Sequence, residues 1–317
     1  MGFLNSLFHG CTLVLPNDDF DPEKTVSALI DEKCTAVLSV PTMFLAQLNI
    51  LESRKAKLNT VRTGLAAGST VPEAIMKRIR SEMGCDGMLI AYGMTETSPV
   101  TFMTALDDPD HLRTTSLGRI LPHSAAKIID EMGNIVPRGT RGELCTSGYA
   151  LQKGYWQNQD KTDEVMRRDA EGVLWMHTGD ECYIDDADYC FITGRLKDLI
   201  IRGGENIHPR EIEDRLLEHE AIAEVSIVAI KDERYGETVG AFLRSKSGGG
   251  QRPSDGELKG WVQKILGRHK APAHVFWIGD EGVGSDFPKT ASGKLQKHIM
   301  SALGTDIARR KGVKAKL

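Results

Sequence analysis

No stretch of the 317 residues approaches the ~20 consecutive apolar residues that a membrane-spanning helix requires. Metal-ligand spacing is missing as well. The six cysteines, Cys11, Cys34, Cys85, Cys145, Cys182 and Cys190, are scattered, with no Cys-x-x-Cys pair and no paired histidines nearby. That pattern argues against zinc and against the disulfide framework of a small secreted domain, and for a reducing compartment. Nor is there a basic excess. Forty Lys and Arg stand against 44 Asp and Glu, a formal net charge of −4, so nucleic acid is not expected as a partner. No internal repeat occurs. The first sixteen residues are fairly apolar but carry no basic leader and no cleavage site, so they are not read as a signal peptide. Met1-Gly2-Phe3-Leu4-Asn5-Ser6 satisfies the loose myristoylation pattern, although a plain helix entering a strand over Cys11 to Leu15 accounts for the same residues.

What is present describes a soluble globular protein: 40% hydrophobic and 26% charged residues, with length enough for two domains. From Thr12 to about Phe191, short apolar strands alternate with amphipathic helices. Thr12-Leu-Val-Leu-Pro16 and Ala36-Val-Leu-Ser-Val40 read as buried strands. Between them, Asp21-Pro22-Glu23 opens a helix with a capping carboxylate and a first-turn proline, and carries Val26, Leu29 and Ile30 inward. Pro41 to Glu52 and Pro72 to Met83 read as further proline-led helices. This alternation implies an α/β layered domain whose strand-end loops hold ligands. From Glu143 the strands shorten and glycines become dense, as in a small β subdomain. After Lys197 a compact α+β module follows. Its helix from Pro209 carries Ile212, Leu216 and Leu217 on one face, its strand runs Val225 to Ile230, and Ser247-Gly-Gly-Gly-Gln251 reads as a mobile loop.

The chain turns at residues 191–213. An apolar strand breaks at Gly194, three charges (Arg195, Lys197, Asp198) follow in four residues, and a second strand ends in the flexible pair Gly203-Gly204. Charges between short strands with glycines beyond them suit a hinge that handles a charged ligand, or a polar hairpin turn. Three other stretches carry side chains suited to chemistry. Tyr92-Gly93-Met94-Thr95-Glu96-Thr97 follows an apolar strand, so Thr95 would meet a phosphate oxygen and Glu96 a magnesium ion, or the segment is a capped helix start. Thr178-Gly179-Asp180 presents a carboxylate on a tight turn, suited to the paired hydroxyls of a ribose or to capping its own backbone. Phe287-Pro-Lys-Thr-Ala-Ser-Gly-Lys-Leu295 exposes Lys294 on a turn that lacks the glycine spacing of a Walker loop.

Taken in order, Tyr-Gly-x-Thr-Glu, Gly-Glu-Leu followed by Gly-Tyr-Trp, Thr-Gly-Asp, Gly-Arg-x-Lys-Asp, Gly-Gly-Glu-Asn-Ile-x-Pro-x-Glu-Ile-Glu and Pro-Lys-Thr-x-Ser-Gly-Lys resemble the adenylate-forming superfamily. The resemblance is to its acyl-CoA synthetase branch, of fungal medium-chain or secondary-metabolite type, and extends over the chain up to its basic C-terminal tail. It implies the C-terminal part of the large α/β domain (residues 1–196) with a small β subdomain, then a mobile α+β domain (197–304) and a tail (305–317). It also implies ATP, Mg2+ and CoA as cosubstrates and cofactors. A fatty or other aliphatic carboxylate would be activated as its adenylate and passed to the CoA thiol.

Carried over by resemblance, Tyr92 and Gly93 line the nucleotide, Thr95 holds phosphate and Glu96 the metal. Asp180 and Arg195 take the ribose, and Lys294 meets the charge of the adenylation transition state. Lys197 is the hinge, Gly203, Gly204 and Glu205 border CoA, and Val40, Pro41, Ala66, Ala67 and Gly68 neighbour the acyl group. The family's Ser/Thr/Gly-rich phosphate loop ending in Pro-Lys is not found, Gly68-Ser69-Thr70 being only an echo, so a truncated large domain is expected. Two further expectations stand beside the ligase: a non-catalytic paralogue that binds nucleotide or partners, and an adenylating enzyme that loads a carrier-protein thiol. The terminal Ala315-Lys316-Leu317 is a variant of the peroxisomal address Ser-Lys-Leu, which implies a peroxisomal location with the import receptor as a partner, or else is a solvated tail on a cytoplasmic protein.

Overall fold

The computed structural model describes residues 2–68, 73–246, 252–290 and 294–314. The glycine-rich loop at 247–251, the terminal tripeptide, Ser69-Thr70 and Ser292-Gly293 lie outside them. The chain forms two compact units, Met1–Ile192 and Thr193–Leu317.

The first unit begins with α1 (Gly2–His9) and α2 (Pro22–Asp31). The Asp21 carboxylate accepts a hydrogen bond from the Lys24 N–H at 3.0 Å, and Pro22 stands in the first turn, where its missing N–H costs nothing. Then come β1 (Ala36–Ser39), α3 (Pro41–Arg54), β2 (Thr63–Ala67), α4 (Glu73–Met83) and β3 (Gly87–Tyr92). β1, β2 and β3 are parallel neighbours, with Ala36 beside Thr63 and Thr63 beside Gly87. Two short antiparallel strands, β4 (Phe102–Met103) and, after α5 (Asp110–Thr115), β5 (Arg119–Ile120), extend this sheet. Its core joins Val26 and Leu29 of α2, Phe44 and Leu48 of α3 and Met76 and Ile79 of α4 to Met88 and Ile90 of β3.

The same unit continues into an antiparallel sheet. Its strands are β6 (Ser124–Ile129), β7 (Gly142–Gly148), β8 (Met166–Arg168, after α6, Gln159–Val165), β9 (Leu174–Ile184) and β10 (Cys190–Arg195), with β7 and β10 flanking β9 and β10 running on past Ile192, where the first unit ends. The β subdomain thus starts near Ser124, earlier than its glycine density suggests.

Three sequence expectations fail here. The strand at Ala36–Val40 forms as β1 but is not buried: only Val37 faces the core, while Ala36 and Leu38 are exposed. Thr12 to Pro16 is not a strand. A strand needs a ladder partner, and among the described residues this segment has none, so Leu13 and Leu15 stay on the surface, Leu15 77% exposed. Ile30 is likewise exposed, because the buried face of α2 is spent on Val26 and Leu29, and Ile30 falls about 100° beyond Leu29.

In the second unit, β11 (Ile200–Arg202) and β12 (Glu205–Ile207) form a hairpin, and α7 (Pro209–Leu217) leads to the long pair β13 (Ile222–Asp232) and β14 (Gly236–Ser245). α8 (Asp255–Leu266) is followed by β15 (His274–Trp277), parallel to β14, and by α9 (Lys297–Lys314). Alternation along β13 feeds two cores. Val225 and Ile227 meet Ile212 and Leu216 of α7 and Leu258 and Val262 of α8. Val228 and Ile230 meet Met300 of α9 on the other face. A Cβ at Gly304 would fall 2.5 Å from Ile230 Cδ1, so glycine there lets α9 press onto the sheet. Leu217 of α7 packs only half-buried at the margin of its core.

Gly203-Gly204 takes a defined place in the fold. With φ of 60° and 88° it is the two-residue turn that joins β11 to β12, the geometry a right-twisted hairpin favours. Among the described residues, no helix is long and apolar enough to cross a membrane.

Candidate active site

The carboxyl ends of β1, β2 and β3 lie side by side, with Ser39 beside Ala66 and Ala67 beside Ala91. In a parallel sheet this edge is where helices begin and backbone N–H groups face outward, so ligands bind there. Val40 and Pro41 start α3 at the end of β1, and Ala66, Ala67 and Gly68 close β2. A Cβ built on Gly68 would lie 3.1 Å from Val40 Cγ1, so these five residues form one neighbourhood. Ala66 is fully buried and Gly68 is exposed.

β3 ends in Tyr92. Its hydroxyl donates to Asp180 Oδ2 at 2.6 Å, across 88 residues of sequence. Asp180 is 4% exposed, on β9. Burial, then the neighbouring Asp180 charge, holds the Tyr92 phenol well above its ordinary range, so it stays a donor. Gly93 follows where the backbone of Pro99 passes: a Cβ there would sit 2.0 Å from the Pro99 carbonyl oxygen. The close pass folds Thr95–Thr97 into a single 3₁₀ turn, with Thr95 exposed, Glu96 half-buried and Thr97 buried. Tyr155 O–H donates to Glu96 Oε1 at 2.7 Å, and Gln152 N–H donates to the Glu96 carbonyl at 2.8 Å. Burial and the Glu96 carboxylate push the Tyr155 phenol up to about 12.

The turn before Asp180 is held from the neighbouring strand. Thr178 O–H donates to the Leu144 carbonyl at 2.7 Å and accepts from the Asp180 N–H at 3.1 Å. Glu143 Oε1 accepts from the Gly179 N–H at 3.1 Å, while Oε2 accepts from His177 Nδ1–H at 2.8 Å. Desolvation would raise the Glu143 carboxyl, but the His177 hydrogen bond and charge and the Gly179 N–H outweigh it and hold the group low.

Five of the residues singled out from sequence therefore share this part of the first unit: Tyr92, Gly93, Thr95, Glu96 and Asp180. Val40, Pro41, Ala66, Ala67 and Gly68 lie at the strand-end edge of the same unit, whereas Arg195, Lys197, Gly203, Gly204, Glu205 and Lys294 belong to the second unit. Arg195 and Lys197 are exposed, Lys197 within a 3₁₀ turn at Leu196–Asp198. Gly203 and Gly204 form the hairpin turn, with Gly203 N–H donating to the Tyr235 carbonyl at 2.8 Å and Glu205 directly after it. Lys294 is exposed where Thr290 N–H donates to the Lys294 carbonyl at 2.8 Å and Lys294 N–H returns a 3.1 Å bond to Thr290 Oγ1. Tyr155, Glu143 and His177 were not singled out. Gly-Tyr-Trp and Gly-Glu-Leu were visible as motifs, but nothing in sequence ties Tyr155 to Glu96 or Glu143 to the Thr-Gly-Asp turn.

The chain matches the family model of the AMP-binding enzyme over residues 1–156 and that of the AMP-binding enzyme C-terminal domain over residues 211–294. It is 49% identical to the acyl-CoA ligase sidI of Beauveria bassiana, covering 100% of this chain and 55% of that one. It is 48% identical to the acyl-CoA ligase cnsG of Penicillium expansum, covering 96% and 63%. The ATP-bound structure of MatB from Rhodopseudomonas palustris superposes with a TM-score of 0.82 at 27% identity, covering 95% of this chain and 56% of that one. The chain thus spans about half the length of the first of these relatives.

Proposed function

Because the chain belongs to the AMP-binding enzyme family and carries the adenylate-forming fold, we propose that it serves acyl-CoA ligation, in which ATP activates a carboxylate as its acyl-adenylate and CoA takes the acyl group. A bare carboxylate has no adequate leaving group, whereas the mixed anhydride with AMP does. The observation that carries this reading is the cluster in which Tyr92, Glu96, Tyr155 and Asp180 are fixed by hydrogen bonds at a strand-end edge.

Asp180, oriented by Tyr92, accepts from the ribose hydroxyls. The exposed Thr95 hydroxyl donates to phosphate. Glu96 is a hard oxygen donor of the kind Mg2+ takes, and Tyr155 fixes its carboxylate, so the residues fit that ion. When bound, it would offset phosphate charge. The acyl group is an aliphatic one, placed against Val40, Pro41, Ala66, Ala67 and Gly68, whose surfaces offer no charge. The fungal ligase relatives support a role in secondary metabolism. The hairpin of Gly203, Gly204 and Glu205 is assigned to CoA, Arg195 to the ribose, Lys197 to the hinge and Lys294 to the adenylation step.

Acid-dependent ATP–pyrophosphate exchange over a panel of aliphatic acids tests this. Exchange is expected with at least one acid and is expected to fall at least ~100-fold in Lys294→Ala, the scale of removing one fixed donor from a developing charge. Absence of exchange across the panel would refute the ligase reading, and retained AMP binding in that case would leave a nucleotide-binding role.

A further inference from the structure

Sequence spacing argues against zinc, yet strand pairing gathers a ligand set that no spacing rule would find. Cys145 of β7 is the cross-strand partner of His177 on β9, and Glu143 stands two residues before Cys145, on the same face of its strand. One ligand atom from each of the three, a carboxylate oxygen, a thiol sulfur and an imidazole nitrogen, lies within 4.8 Å of the others. Cys145 is fully buried, and His177 and Glu143 are mostly so.

From this geometry we infer that Glu143, Cys145 and His177 form a binding site for a zinc-class divalent cation, separate from the Mg2+ proposed at Glu96. For bonds of ~2.3 Å to sulfur and ~2.0 Å to nitrogen, a tetrahedral edge between the two donors is about 3.5 Å. Cys145 Sγ lies 3.6 Å from His177 Nδ1. The edge from nitrogen to a carboxylate oxygen is about 3.3 Å on the same bond lengths, and Nδ1 to Glu143 Oε2 is 2.8 Å. An ion entering between them therefore replaces the Nδ1–Oε2 hydrogen bond, moving those two atoms about half an ångström apart, and leaves the Sγ–Nδ1 distance nearly unchanged.

The chemistry balances. Nδ1 gives up its hydrogen as the neutral imidazole takes one at Nε2, and the Cys145 thiol releases its proton to water as the metal–sulfur bond forms. Sulfur and imidazole select a borderline metal over Mg2+, and three protein ligands leave the fourth position to water. Glu143 can bind through Oε2 while Oε1 keeps the Gly179 N–H, which ties the ion to the turn carrying Asp180. The site stands independently of the ligase reading.

The test is titration of the full chain with Co2+ alone. A sulfur-to-cobalt charge-transfer absorption is expected, saturating at one ion per chain, displaced by Zn2+ and resistant to excess Mg2+. It should persist in Cys11→Ser, which removes the exposed cysteine, and vanish in Cys145→Ser. His177→Gln should weaken Co2+ binding more than tenfold, since loss of even an outer-shell partner costs at least about that much. Zn2+ should also raise the thermal midpoint of the unaltered chain but not that of His177→Gln, which decides the matter should Cys145→Ser fail to fold. No charge-transfer absorption at saturating Co2+, or absorption that survives Cys145→Ser, overturns the site.

Discussion

Two residues of the first unit show how little space and charge the site leaves unassigned. Gly93 is required by contact, because a Cβ there would press on the Pro99 carbonyl at 2.0 Å, and backbone yields less readily than a side-chain tip. Gly93→Ala is expected to lower stability by about 1–3 kcal/mol, the usual cost of overpacking, and to disturb the turn carrying Thr95 and Glu96. Urea midpoints together with AMP binding check this, and an unchanged midpoint would refute it. Glu143 is required by charge. Its folded-state pKa lies below the ordinary 4.5, so its contribution to stability is present above that value and is lost as pH falls through the folded pKa. Stability of the chain should therefore decline on acidification below about pH 4.5, and Glu143→Gln should flatten that part of the profile. Equal slopes in the two proteins would count against the role assigned to the Glu143 carboxylate.

At the scale of elements, sequence was a good guide wherever the cause is local. Pro22, Pro41 and Pro209 start helices because a proline fits the first turn, and Asp21 adds a capping carboxylate to the first of them. Where the cause is a distant partner, sequence was silent or misleading. Thr12 to Pro16 has the composition of a strand but no ladder to join. Tyr92 and Asp180, and Glu96 and Tyr155, meet because β3, β9 and the loop after β7 are brought together by folding, and no spacing encodes that. The glycine pair at 203–204 was legible as glycine but not as geometry. Both φ angles are positive, the backbone of a tight turn that sets the register of β11 against β12. Alanine at either position should cost about 1–2 kcal/mol, the penalty of a left-handed conformation for an L-residue. Gly203→Asn, which yields the Asn-Gly turn, should be nearly neutral. Thermal unfolding of the three variants tests the ordering, and equal losses for Ala and Asn would show that the turn is not held in this conformation.

At the scale of the whole molecule, the two units differ in how completely each buries its own apolar surface. The second closes on itself: α7 and α8 cover one face of its sheet and α9 the other, with Ile227, Ile230, Phe242 and Leu243 fully buried between them. In the first unit, α1 buries none of its residues, and Phe3, Leu4, Leu7 and Phe8 are 66–84% exposed, while among the described residues β1 at the sheet edge pairs on one side only. Exposed contiguous apolar surface of this kind binds hydrophobic dyes and drives association. Residues 193–317 produced alone should therefore unfold cooperatively and bind such a dye weakly. The full chain should bind it strongly, and Phe3→Ser with Phe8→Ser should reduce that binding while leaving the cooperative transition of the second unit in place. If the double variant binds dye as the parent does, the apolar surface that matters lies elsewhere than on α1; if residues 193–317 melt without a transition, the two cores around β13 and β14 are not sufficient by themselves.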